Sequence, residues 1–355
     1  MSRALFIFVA TLALAGAALA DDLATCRDRQ ADAKLRLAAC ENLIGAGQLS
    51  GKDLALALFV RGNALIAKRD NDKAIAAFGA AHDADPDNVA YLNSRGIAYE
   101  RKGDDDHAMA DYNLALQMRP TYGSAFNNRG TLYLRKGALQ SALDDFNAAL
   151  KYAPNMYIAH TNHARVLTIK ADFAGALADF ADALRIDPAA PQVASYRCIT
   201  YAAMGRFDEA IADCSGLIEK EPKNQFALVG RADANLAKGD LDAALRDYNA
   251  VLGLNPNNVR AHAGRGQLFE KKRDLAQARA DYRSASFALT PFDEIETAMA
   301  RSKARERLAA LTPQASSITR RSLRAPPTAA ITCSSATASV SASRSAANLA
   351  STGTR

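Results

Sequence analysis

A histidine pair, a glycine-bearing octapeptide and four cysteines are the residues of this chain whose spacing invites chemistry. His160 and His163 stand three apart, which puts both imidazoles on one face of a helix, where a metal ion could be held. Yet His163 falls in a column of arginines opposite Asp179, and His160 shares a packing column with His262. Residues 45–52 (GAGQLSGK) superficially resemble a phosphate loop, but the glycine spacing is wrong, and Asp53 stands where magnesium would need a hydroxyl. The carboxylates sit in caps, ladders and helix faces, and none forms a pair set apart for acid–base work. The reading is non-enzymatic, with no catalytic residue, no cofactor and no metal.

What positions these residues is a repeat. Pro86, Pro120, Pro154, Pro188, Pro222 and Pro256 are each 34 residues apart. Twelve residues before each, and once more at the end, stands Ala74, Ala108, Ala142, Ala176, Ala210, Ala244 or Ala278. A period of this length means stacked supersecondary units and not one globular core. In residues 89–122, Leu92, Gly96 and Tyr99 mark one helix face, and Ala108, Tyr112 and Ala115 mark a second. Gly103 and Asp104 between them supply a left-handed stop and a cap, and Pro120 closes the unit.

The columns assign packing. Small residues at Gly62, Gly96, Gly130, Ala164, Cys198, Ala232 and Gly266 let two helices approach, facing the alanine column. Aromatics at Phe78, Tyr112, Phe146, Phe180, Tyr248 and Tyr282 fill the space between one hairpin and the next. Arg61, Arg95, Arg129, His163, Arg197, Arg231 and Arg265 precede the small column. Sixteen residues later stand Asp111, Asp145, Asp179, Asp213, Asp247 and Asp281, with Ala77 the exception. That pairing predicts an ion-pair ladder within or between adjacent units, in which a forked guanidinium suits a fixed carboxylate.

In these columns the chain resembles the tetratricopeptide repeat family, in which leucine more often stands where this chain has arginine. The resemblance spans about two-thirds of the chain. It implies an all-α, right-handed α-solenoid of antiparallel helix hairpins, with seven units over residues 55–290.

The ends read differently. Residues 1–20 have a short positive start, an apolar stretch and Ala18-Leu19-Ala20, as a secretory signal cleaved after Ala20 does. An uncleaved anchor is the competing reading; no other segment is apolar enough to cross a membrane. Export to a periplasmic or extracellular space makes disulfides permissible. Cys40 lies 34 residues before Ala74, so residues 21–54 read as a degenerate N-terminal hairpin, with a Cys26–Cys40 disulfide across it. Cys198 and Cys214 are either a second disulfide or two buried thiols, and Cys333 is left over. Residues 291–312, preceded by Thr290 as N-cap, carry Ile295, Met299 and Leu308 on one side and form a C-terminal capping helix. Residues 313–355, rich in Ser, Ala, Thr and Arg with no acid, read as disordered.

The formal net charge of +6 belongs to the ends: one arginine before residue 21, five after residue 312, and zero net charge between. A neutral solenoid with interspersed charge has no stripe for a phosphate backbone, so no nucleic-acid partner is expected. In the family the first helices line a concave groove that binds peptides. The first-helix positions left over by the packing columns are Asn93, Ile97, Arg101, Asn127, Thr131, Arg135, Thr161, Arg165 and Ile169. Asparagine amides suit a peptide backbone and the arginines suit acidic groups. Further along, Ser195, Ile199, Ala202, Val229, Leu236 and Ala237 predict a more apolar groove. The family's carboxylate clamp is not formed in the first two units: Asn63 matches, but Phe59 replaces a lysine and Ser94 an asparagine. The expected function is a scaffold or adaptor for a protein or peptide partner. The alternative is a regulatory or substrate-presenting portion of a larger exported enzyme. The sequence specifies neither the partner nor the oligomeric state.

Overall fold

The computed structural model describes residues 20–47, 49–290 and 295–312. Within them every regular element is an α-helix, and the helices form an all-α solenoid of hairpins. Residues 20–27 are helical (α1) and lead into α2 (Ala33–Ala46). Seven hairpins follow. They are α3 (Gly51–Ala67) with α4 (Asn71–Ala84), α5 (Val89–Lys102) with α6 (Asp105–Met118), and α7 (Gly123–Arg135) with α8 (Leu139–Tyr152). Next come α9 (Tyr157–Ile169) with α10 (Phe173–Ile186), α11 (Pro191–Ala203) with α12 (Phe207–Lys220), α13 (Gln225–Lys238) with α14 (Leu241–Leu254), and α15 (Val259–Lys271) with α16 (Leu275–Phe287). A last helix, α17 (Ile295–Leu311), packs on α15 and α16.

The turns behave as their residues require. Gly103, Gly137, Gly205 and Gly239 adopt left-handed geometry after their helices, which costs glycine nothing. In the other three hairpins Arg69, Ala171 and Arg273 are forced into it, with φ of 61°, 62° and 61°. Asp70, Asp104, Asp172, Asp240 and Asp274 then cap the second helices, each accepting from the backbone N–H three residues on.

The columns pack as a ring on a glycine. A Cβ added at Gly62, Gly96, Gly130 or Gly266 would meet the ring of Phe78, Tyr112, Phe146 or Tyr282 at 2.5–2.8 Å. Each ring comes from the second helix of the same hairpin and is fully buried. Tyr248 also meets the next hairpin at Gly264, so the aromatic column ties neighbours as well. In the fifth hairpin the same two places hold Cys198 and Cys214, whose sulfurs lie 1.98 Å apart: a covalent link replaces the ring–glycine contact. The sulfurs of Cys26 and Cys40, joining α1 to α2, lie 2.09 Å apart.

The arginine column pairs within its own hairpin. Arg95, Arg129, Arg197, Arg231 and Arg265 donate in two-pronged fashion to Asp111, Asp145, Asp213, Asp247 and Asp281 at 2.6–2.9 Å. Arg129, Arg231 and Arg265 also donate to Asn113, Ser215 and Asn249 on the preceding hairpin, so one guanidinium sets the register of two units. Arg61, which faces Ala77, turns instead to Glu41 on α2. Both histidines of α9 bind one carboxylate, His160 at 2.8 Å and His163 at 2.5 Å from Asp179. Among the described residues no group of three or more His, Cys, Asp or Glu side chains is placed to hold a metal ion.

The capping helix departs in one respect from its expected pattern. Met299 is 55% exposed, and the packed stripe is Ala300, Ala304, Leu308 and Leu311. Thr290, read as the N-cap, accepts at its hydroxyl from Arg301 at 2.9 Å, while residues 291–294 lie outside the described residues, as do residues 1–19 and 313–355.

Candidate functional site: the inner face of the first helices

First helices of successive hairpins touch: α5 with α7, α7 with α9, α9 with α11, α11 with α13, and α13 with α15. Second helices of successive hairpins do not pair to that extent, so the first helices form the inner, concave side. On this side Ile97, Glu100, Arg101, Asn128, Thr131, Leu134, Arg135 and Arg165 line a cavity of about 330 Å³ together with Ile295 of α17. The cavity thus gathers Ile97, Arg101, Thr131, Arg135 and Arg165, five of the positions picked out by the repeat columns.

The two asparagines have a different place. Asn93 and Asn127 are buried, and each accepts from an asparagine amide of the next first helix. Asn128 donates to Asn93 at 2.9 Å, Asn127 to Asn128 at 3.1 Å, and Asn162 to Asn127 at 3.1 Å. This amide ladder fastens α5, α7 and α9 together and forms the floor of the face. A buried amide must be satisfied somewhere, and here the adjacent helix satisfies it. Asn128, Asn162 and Glu100 were missed by the column reading, although Asn128 and Asn162 repeat at the same 34-residue period.

The arginines are fixed by neighbours. Arg135 donates to Asp105 at 2.5 Å and lies 3.4 Å from Glu100. Arg101 is exposed and makes one long bond, 3.4 Å, to the carbonyl of Ile66. Arg165 lies over the Tyr196 ring at 4.3 Å and grips Glu296 of α17. Burial pushes the Glu100 carboxyl up from its ordinary value, against the hydrogen bond it accepts from Tyr112. Burial and the Glu100 charge in turn push the Tyr112 hydroxyl up. Three guanidinium groups, Arg101, Arg135 and Arg165, thus stand beside three carboxylates, Glu100, Asp105 and Glu296, and Arg101 is the least engaged of the three.

Of the residues expected to make a more apolar groove further along, Ile199 and Ala202 are half-buried and Ala237 is exposed. Val229 and Leu236 are buried in the cluster around Tyr248, and Ser195 is buried as well. Val229 and Ser195 still each line a surface cavity, whereas Leu236 is taken up by helix packing.

Stacked 34-residue hairpins that present one lined inner face define an α-solenoid of the protein-interaction class. Residues 59–123, 127–191, 199–249 and 230–294 match the tetratricopeptide repeat family, and the chain belongs to it. Among solved structures it is similar to a tetratricopeptide repeat protein from Parabacteroides merdae. That protein is 21% identical, the match covers 71% of this chain and 98% of that one, and the TM-score is 0.57. It is also similar to a chain of the APC/C hetero-tetramer Cut9–Hcn1, 15% identical over 76% of this chain and 52% of that one, TM-score 0.58. At these identities the likeness is one of fold. No curated protein matches the chain.

Proposed function

We propose that this chain is a non-enzymatic adaptor whose partner, a protein or peptide, binds along the inner face of α5, α7 and α9. The observation that carries the reading is the cavity beside Thr131, where side chains left over by the packing columns meet with three arginines around them. A rigid floor of bonded amides beneath guanidinium groups already aimed at carboxylates suits an extended or helical segment carrying acidic side chains. We further propose that it works outside the cytoplasm. Two cysteine pairs at bonding distance are the support, since such pairs persist in oxidising compartments. Among the described residues no helix is long and apolar enough to cross a membrane.

The test is affinity capture from an exported fraction with wild-type protein and Thr131→Trp, which fills the cavity without touching the ion-pair ladder. The substituted protein, folded by circular dichroism, is expected to lose partners that the wild type retains. An unchanged capture profile overturns the assignment of the face.

A further inference from the structure

Residues from Ala300 onward hold α17 to the last hairpin. Ala304 is buried against α15 and α16, Arg301 donates to the carbonyls of Ala285 and Ala288, and Arg307 grips Glu270. The first turn of the same helix does something else. Ile295 packs with the cluster formed by Leu134, Ala142, Leu143, Phe146 and Val166. Glu296 takes the two prongs of Arg165, Nε to Oε1 at 3.1 Å and Nη2 to Oε2 at 2.9 Å. The solenoid therefore already carries two of its own residues on the inner face of α7 and α9, beside the cavity.

These two residues define the chemistry already seated on the face. Arg165 is held over the Tyr196 ring, so its fork is aimed before a ligand arrives. A planar fork bonds both oxygens of a carboxylate, and the apolar socket next to it takes an aliphatic side chain. We propose that Ile295-Glu296 is a self-supplied ligand, and that the face recognises an aliphatic residue followed directly by a glutamate side chain in a partner. The partner seats that pair by displacing the first turn of α17. This inference rests on the reading of the inner face as the binding surface and names the chemistry bound there.

The probe is a fluorescein-labelled nonapeptide copying residues 295–303 (IETAMARSK) with an amidated C-terminus, so that the glutamate side chain is the only carboxylate of the peptide itself, and the glutamine control carries the same dye. Anisotropy is followed on titration with the full wild-type chain and with Glu296→Arg, which sets like charge against Arg165. A site occupied by its own segment binds more weakly in proportion to the fraction unoccupied, so the variant is expected to bind at least about tenfold tighter. A peptide with glutamine in place of glutamate is expected to bind neither protein. Ile295→Asp, which empties the apolar socket, is a second route to the same open state. The inference is overturned if both variants, folded by circular dichroism, bind no tighter than wild type, or if the glutamine peptide binds equally well. Such a failure beside a Thr131→Trp protein that still loses partners discards the self-ligand and keeps the binding face. A failure beside an unchanged capture profile discards both.

Discussion

Arg165 on α9 and Glu296 on α17 are 131 residues apart in sequence and joined by two hydrogen bonds, with only 10% and 15% of their side chains exposed. Removing one member of a buried pair commonly costs about 3–5 kcal/mol, because the other charge is stranded. On the displacement of the first turn of α17 proposed above, the loss is capped, since the surviving charge returns to water. Glu296→Gln is therefore expected to raise amide exchange in the first turn of α17 while leaving the global melting temperature nearly unchanged. Exchange in that turn equal to wild type contradicts this.

The same contact is expected to open in acid. Burial alone would raise the Glu296 carboxyl, but the Arg165 charge and hydrogen bond, with Arg260 on α15 also facing it, hold it below the usual 4.5. A lowered folded-state value means that the pair stabilises docking fully above the ordinary glutamate range. That stabilisation is lost as pH falls through the lowered value. A dye at Met299→Cys, in a Cys333→Ser background, reports the motion from an exposed site. The expected signal change lies below pH 4.5 and is absent in Glu296→Gln; a change of equal size in that variant refutes the assignment.

Cys198 and Cys214 occupy the glycine and aromatic columns, so their link should be replaceable by the contact used elsewhere. Gly230 lies against both sulfurs, as Gly264 lies against Tyr248, and leaves room for a ring. Cys198→Gly/Cys214→Phe is expected to melt within a few degrees of wild type. Cys198→Ser/Cys214→Ser loses the cross-link and leaves the aromatic place underfilled, at a cost of about 2–4 kcal/mol. Denaturant melts of the two double variants compare them; equal loss in both rejects the column equivalence.

Ala171 holds a left-handed conformation, φ 62°, where its Cβ crowds the backbone. Ala171→Gly is expected to stabilise the chain by about 0.5–1 kcal/mol, and Gly103→Ala, at φ 85°, to destabilise it by about 1 kcal/mol or more. Thermal unfolding of both checks the pair of signs, and a stabilising Gly103→Ala is the contrary result.

The hairpins were legible because every column is a local spacing on a helix: the glycine, its ring sixteen residues on, and the arginine with its aspartate each follow from one unit. The inner face was legible only in part. Subtracting the packing columns found Thr131 and Arg165, but it could not show that Asn93 and Asn127 would bond to amides of the next helix. Val229 and Leu236 looked surplus for the same reason: the count of buried positions per helix depends on how deeply neighbours interlock. The seat of Ile295 and Glu296 was not legible at all. Small rotations between hairpins accumulate along a solenoid, and nothing near residue 295 marks which hairpin its side chain will meet.

The most direct test of the inner face as the partner surface is photo-crosslinking in the exported fraction. p-Benzoylphenylalanine is placed at Arg101, exposed on the cavity rim, or at Lys151, exposed on the second helix α8. The account predicts partner adducts from position 101, increased by Glu296→Arg, and few or none from position 151. Adducts from position 151 alone, or equal yields from both positions, contradict it.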